Sequence, residues 1–274
     1  MFEVVFGFVL VLLGFAAIHD WKTTFVSDWV VYALFCVGLV GLVVQGHVLE
    51  GLSVTAGLAV LALLFYYGGV FAQGDARLLV ALGPVLPGLD LLSRGWYASG
   101  FVLTLLFVGL VYTLAISGWH AWKSATYGKA CEGFFEQYVV VFWIFVFGGL
   151  VSSFFLSSMA WGLMWSGAWV LFGLFLHAKA VEETCFIRLT RPDALLEGDW
   201  LVSSVKVGSH TFSPSAAGLS RADIALLRRY RRSVVIKQGI PFVPVFFIAY
   251  GLMGYVVLGG YAADVLRLVR GVLS

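Results

Sequence analysis

The chain has 274 residues, of which 61% are hydrophobic and 12% charged, with a formal net charge of +2. Soluble domains carry about 25% charged residues, and at a mean hydropathy of +0.97 this chain has too little polar surface to cover a soluble globule. Disorder, a collagen-like rod and a disulfide-stapled secreted scaffold are excluded, and so small a net charge leaves no basic footprint for nucleic acid.

A membrane-crossing helix needs about 20 mostly apolar residues. Such stretches lie near 2–18, 29–46, 52–72, 76–92, 98–118, 138–157, 159–177 and 241–262. They predict an all-α polytopic membrane helix bundle of about eight spans, or about six if the weaker stretches do not cross. The weaker ones are 76–92, which carries Arg77, Pro84, Pro87 and Asp90, and 138–177, where Ser157, Ser158 and Met159 mark only a faint break. The first apolar stretch has no basic segment ahead of it, so it is predicted to remain as a span.

Residues 178–240 form the one sizeable polar region. Phe186–Leu189 and Trp200–Val207 read as strands, with turns at Gly198-Asp199 and Val207-Gly208-Ser209. Ser220-Arg221-Ala222-Asp223 reads as a capping box opening a helix over Ile224–Arg232. The predicted organisation is a helix bundle over 1–177, a small α+β cytosolic domain over 178–240, and a last transmembrane helix with its tail over 241–274. Arg228, Arg229, Arg231 and Arg232, just ahead of the last span, read as topology charge at an anionic membrane surface. With eight spans and the N-terminus outside, 14 of the 17 Lys and Arg fall on the cytosolic side, as the positive-inside rule requires.

Carboxylates at span borders are costly and therefore raise the question of function. Asp20, Asp28 and Asp75 border the first four predicted spans, all on the predicted cytosolic side. Asp20 follows span 1, and Asp75 follows span 3 in Gln73-Gly74-Asp75-Ala76-Arg77. Two crossings separate them, so both return to the same face. Two carboxylates at one depth can share a proton, one acting as base on a water while the other donates to the peptide. Gly74 permits a tight turn and leaves room beside the acid. Structural roles compete with this reading. Asp28 is most simply the N-cap of span 2, Asp75 could cap the next helix, and Asp20 could anchor an interface by pairing with His19 or Lys22. The histidines and cysteines form no HExxH or CxxC pattern, so no metal or cofactor is predicted.

The stretch from Asp20 to Trp29 resembles the first motif of type IV prepilin peptidases and archaeal preflagellin peptidases, with Ser27 where those proteins usually have Pro. Gly74-Asp75-Ala76-Arg77-Leu78-Leu79 resembles their GxGD motif, with Ala72 in place of its first glycine. Gly239-Ile240-Pro241-Phe242-Val243-Pro244 is similar to the approach to the final helix in the archaeal branch. Glu197–Trp200 and Gly218–Ser220 are similar to that branch too. The cysteine-rich zinc loop of many bacterial members is absent, which implies a peptidase without their N-methyltransferase activity.

The resemblance implies an aspartic membrane endopeptidase in the cytoplasmic membrane with its site facing the cytosol. Asp20 and Asp75 would be the catalytic pair and Gly74 the motif glycine. The implied partners are precursors with class III signal peptides, namely archaellins and type IV pilins, presented from the lipid bilayer. Other readings compete. A presenilin-like intramembrane protease would place its first Asp within a helix. A proton-coupled transporter would need acids at mid-membrane. A non-catalytic assembly subunit would tolerate Asn at both positions.

Overall fold

The computed structural model describes residues 2–88, 90–155, 159–208, 210–215, 218–237 and 239–259. Ten α-helices occur among them: α1 (Phe2–Thr23), α2 (Asp28–Gln45), α3 (Val48–Tyr67), α4 (Gln73–Leu82), α5 (Leu91–Lys123), α6 (Tyr127–Gln137), α7 (Val139–Phe155), α8 (Met159–Val181), α9 (Arg221–Arg229) and α10 (Val243–Leu258). The chain falls into two compact units. One joins the residues up to Thr113 with those from Gly239, and the other is Leu114–Gln238. The boundary lies inside α5, whose last turns belong to the second unit.

The first unit contains α1 to α4, most of α5, and α10, which packs along α1. Its helices are apolar all round, as expected of a bundle whose outer surface meets lipid rather than water. Leu13, Leu34, Leu78, Phe101 and Phe246 fill the interior, while Val11, Val40, Val60, Leu103 and Phe107 are more than half exposed on the outside. Gly46, with φ 75°, ends α2, and its N–H caps the carbonyls of Leu42 and Val43.

Among the described residues, four helices are long and apolar enough to cross a membrane: α1, α2, α3 and α5. A fifth is added if α6 and α7, bent by 64°, are one broken span. Among the described residues the expected count of about eight is not confirmed. The clearest correction concerns 76–92. Helix α4 has only 10 residues, about 15 Å of rise against a hydrocarbon core of about 30 Å. Gly83-Pro84 ends it, because Pro lacks the N–H that would continue the ladder. A 3₁₀ turn over Gly83–Val85 and an extended Leu86 follow.

This broken segment is fully enclosed, as non-helical backbone at such a depth must be. Pro84 rests on Gly38 so closely that a Cβ there would lie 2.7 Å from the Pro84 Cβ. The freed Leu86 carbonyl accepts a 2.8 Å hydrogen bond from Arg94 Nη1. Arg94 is only 2% exposed. Leu86 and Gly88 line a cleft with Val5, Gln45 and Val257, at the opposite end of the helices from Asp20. Residues 73–86 thus form a helix, a 3₁₀ turn and an extended residue rather than one spanning helix. The expected span at 241–262 is the 16-residue α10. Its expected last residues, and the break expected at 157–158, lie outside the described residues.

In the second unit α8 ends in a π-helical turn, Glu182–Phe186, and the chain enters β1 (Ile187–Thr190). β2 (Trp200–Leu201), β3 (Val205–Val207), β4 (His210–Phe212) and β5 (Val234–Lys237) follow. β5 is central in a β1-β5-β2 antiparallel sheet, with Ile187 opposite Lys237, Thr190 opposite Val234 and Trp200 opposite Lys237. β3 and β4 form a hairpin turned at Gly208, φ 61°. Leu195, Leu201, Phe212, Leu227 and Ile236 form their common core.

The strand predicted over Trp200–Val207 is two strands, parted at Val202–Ser204. The capping box is present as read: Ser220 Oγ accepts from the Asp223 N–H at 3.2 Å, and Asp223 Oδ2 accepts from the Ser220 N–H at 2.9 Å. The helix it opens ends at Arg229, earlier than predicted. Of the four arginines read as topology charge, Arg228 instead serves the fold, donating from Nε to the Pro192 carbonyl at 3.1 Å.

Candidate active site

α1 carries Asp20 in its last turn. The chain then reverses through Thr24, held at φ 52°. His19 Nδ1 lies 3.1 Å from the Phe25 carbonyl oxygen. With the proton on Nδ1, the ring bridges the turn. His19 thus shapes the loop that leads from α1 to α2.

Asp75 enters from the start of α4. Ala72 is the N-cap, so Asp75 occupies the third helical position rather than the cap itself. Its Oδ2 accepts the Ala72 N–H at 3.2 Å, the reach-back half of a capping box. Gly74 is necessary for a packing reason. A Cβ at that position would lie 2.8 Å from Val26 Cγ2. Only glycine lets the α1–α2 loop lie directly on the start of α4.

A second contact ties the same two segments. Arg77 Nη1 donates to Asp28 Oδ1 at 2.8 Å. Asp28 is not the N-cap expected from the sequence. Ser27 occupies that position, and Asp28 is the first helical residue of α2, where a carboxylate still complements the helix dipole.

Asp20 and Asp75 are both buried, at 4% and 8% exposure. They lie close enough for the charge of one to act on the other. Asp20 Oδ2 accepts the Val243 N–H at 3.0 Å. The first N–H groups of a helix have no partner within it, so Asp20 satisfies the exposed start of α10. The sequence signalled this only through Pro241 and Pro244 flanking a helix start, which identifies the helix terminus but not its partner.

α5 closes the site on another side. Phe242 packs on Gly109 so tightly that a Cβ there would lie 2.9 Å from Phe242 Cζ. One turn further along the same face stands Tyr112. Its hydroxyl is buried and, among the described residues, has no hydrogen-bond partner. Tyr112 also interacts with the charge of Asp20. No sequence pattern singles it out.

The second unit holds a separate polar cluster. Ser117 Oγ lies 2.9 Å from His177 Nε2, and the Tyr127 hydroxyl 2.7 Å from His177 Nδ1. Ser117 Oγ also donates to the Leu114 carbonyl at 3.2 Å. The cluster ties α5, α6 and α8 together. Among the described residues no group of three His, Cys, Asp or Glu side chains is placed to hold a metal ion.

Residues 7–118 match the type IV leader peptidase family. The match covers less than half of the chain and contains Asp20, Gly74, Asp75, Gly109 and Tyr112. No curated protein and no solved structure matches the chain. Over residues 7–118 this mostly helical chain, with several apolar helices, is therefore similar to a peptidase family.

Proposed function

We propose that this chain is a membrane aspartic endopeptidase of the leader-peptidase kind. It removes class III signal peptides from archaellin-like and type IV pilin-like precursors at the cytosolic membrane face. The observation that carries the reading is the juxtaposition of Asp20 and Asp75. Two helix ends far apart in sequence carry buried carboxyls close enough for the charge of one to act on the other.

The chemistry follows from that pair. Two neighbouring carboxyls hold one proton between them. The ionised acid takes a proton from a water, whose oxygen adds to the scissile carbonyl carbon. The protonated acid gives its proton to the carbonyl oxygen. As the C–N bond breaks, the amine leaves with a proton returned by the site, giving one carboxyl and one amine per water consumed. Neither metal nor cofactor is required for these steps.

The archaeal branch is favoured by the likeness of Gly239–Pro244 to that branch's approach to its final helix, a segment whose Val243 N–H binds Asp20. The precursor's apolar helix would lie in the bilayer against the exposed apolar faces of the bundle, bringing the peptide bond ahead of it to the acids. Residues 178–240 would then lie in the cytosol.

The test is to mix membranes containing the protein with a panel of archaellin, pilin and sugar-binding-protein precursors, and to sequence the new N-terminus. Cleavage just ahead of the apolar helix, lost in Asp20→Asn and Asp75→Asn, is expected. Folded wild-type protein that cleaves no precursor would overturn the reading.

A further inference from the structure

The structure contains two tyrosines whose hydroxyls are buried and, among the described residues, without a hydrogen-bond partner: Tyr112 and Tyr250. An unpartnered buried hydroxyl costs about 1–3 kcal/mol, so each calls for an explanation. Tyr250 lies deep in α10, stacked on Phe6 with centroids 5.0 Å apart and edge-on to Phe101. Phe6 is near the start of α1, well away from Asp20. Tyr112 is in a different position. Its helix face bears on Phe242 through Gly109, and the N–H of the next residue, Val243, binds Asp20.

We infer that Tyr112 is a further catalytic residue, whose hydroxyl stands unpartnered in the free enzyme because its partner is the scissile carbonyl oxygen of the substrate. This rests on the endopeptidase reading above. The position fits the task. Asp20 already accepts the Val243 N–H from the start of α10, and Tyr112, on α5, interacts with the charge of the same carboxyl. A peptide bond seated over the acids therefore finds a donor beside them. A hydrogen bond to the carbonyl oxygen strengthens as the carbon becomes tetrahedral and charge builds on that oxygen, and a donor placed in advance costs no reorganisation. Tyr112 only donates this hydrogen bond. It forms no covalent bond and transfers no proton, so the stoichiometry of the hydrolysis is unchanged.

Burial also makes the inference separable from a structural role. If Tyr112 served the fold, removing its hydroxyl would leave stability lower. If the hydroxyl waits for substrate, Tyr112→Phe removes an unsatisfied group from an apolar interior while keeping the ring, and thermal stability stays level or rises. Tyr250→Phe is the matched control, with the same chemical change away from the acids.

The experiment measures kcat, KM and Tm of purified wild type, Tyr112→Phe, Tyr250→Phe and Asp20→Asn on one cleaved precursor. The expected result is a roughly 10- to 1000-fold fall in kcat for Tyr112→Phe, the range seen when a donor to a developing oxyanion is removed. KM should change little and Tm should not fall. Tyr250→Phe should match or exceed the wild-type Tm with kcat unchanged. Wild-type cleavage that Asp20→Asn abolishes and Tyr112→Phe leaves intact would overturn this inference while the endopeptidase reading stands. A Tm loss in Tyr112→Phe that accounts for its lost activity would likewise assign the hydroxyl to the fold. Wild type inactive on every precursor would overturn both.

Discussion

The Val243 N–H donates to Asp20 Oδ2 over 3.0 Å, joining residues 223 positions apart in the chain. The last described helix is thereby tied to the first at a buried acid. Asp75, interacting electrostatically with Asp20, sits at the start of a helix too short to cross a membrane. The site is thus assembled at the ends of α1, α4 and α10, and each contributes through its terminus.

Gly74→Ala should impair the enzyme for a steric reason. The added Cβ would lie 2.8 Å from Val26 Cγ2, and relieving such overpacking costs about 1–3 kcal/mol. The α1–α2 loop would have to lift from α4, disturbing the approach of Asp20 to Asp75. Shortening the neighbour removes the clash, so Val26→Ala with Gly74→Ala should recover most of the lost Tm and turnover. A double-mutant cycle on Tm and kcat measures this. No rescue by Val26→Ala would refute the packing account.

The Arg77–Asp28 pair should matter little for stability. Its N–O distance is 2.8 Å, but the side chains are 48% and 57% exposed, and pairs so open to solvent are worth about 0.2–1 kcal/mol. Asp28→Asn and Arg77→Gln should each lower Tm slightly, with a coupling in that range that shrinks as salt is raised. A coupling of several kcal/mol, insensitive to salt, would show that the pair is shielded from solvent.

Asp199 in the second unit gives a pH-dependent prediction. Burial raises its carboxyl above the usual carboxylate range, opposed by the Leu196 N–H that it accepts at 2.8 Å. A folded state that binds the proton more tightly than the unfolded chain is favoured below the unfolded value. That contribution is lost as pH rises through the folded value. Asp199→Asn keeps an acceptor for Leu196 and removes the charge. It should therefore raise Tm at pH 7 and leave it nearly unchanged below about pH 4, the ordinary carboxylate range. A Tm gain that does not vary with pH would contradict the assignment.

The sequence made some of this legible and hid the rest for physical reasons. α1, α2 and α3 were readable because runs of about 20 apolar residues have one common outcome in a bilayer. The capping box at Ser220–Asp223 was readable because both partners lie three residues apart. The 76–92 stretch misled because it has the composition of a span. Its outcome was set by Gly83-Pro84, by Arg94 reaching the Leu86 carbonyl eight residues back, and by the receiving surface of Gly38, which comes from distant sequence. β5 was missed because Val234–Lys237 is a short run beside four arginines, and it becomes a strand only by pairing with β1 and β2. Asp20, Asp75 and Gly74 could be singled out from local motifs. The donor on Val243, the role of Val26 opposite Gly74, and the Tyr112 hydroxyl, unpartnered among the described residues, arise from long-range packing that no local pattern records.

The central claim is that Asp20 and Asp75 act as one unit. The most direct measurement is kcat/KM for precursor cleavage by wild type, Asp20→Asn, Asp75→Asn and the double variant, each in folded protein. Groups that share one chemical task are not additive when removed. Each single variant should fall to the assay floor, at least about 1000-fold down, and the double variant should be no worse than either. Either single variant within about tenfold of wild type, or a double variant whose loss multiplies two modest single losses, would contradict the account, because independent or merely structural acids behave in that way.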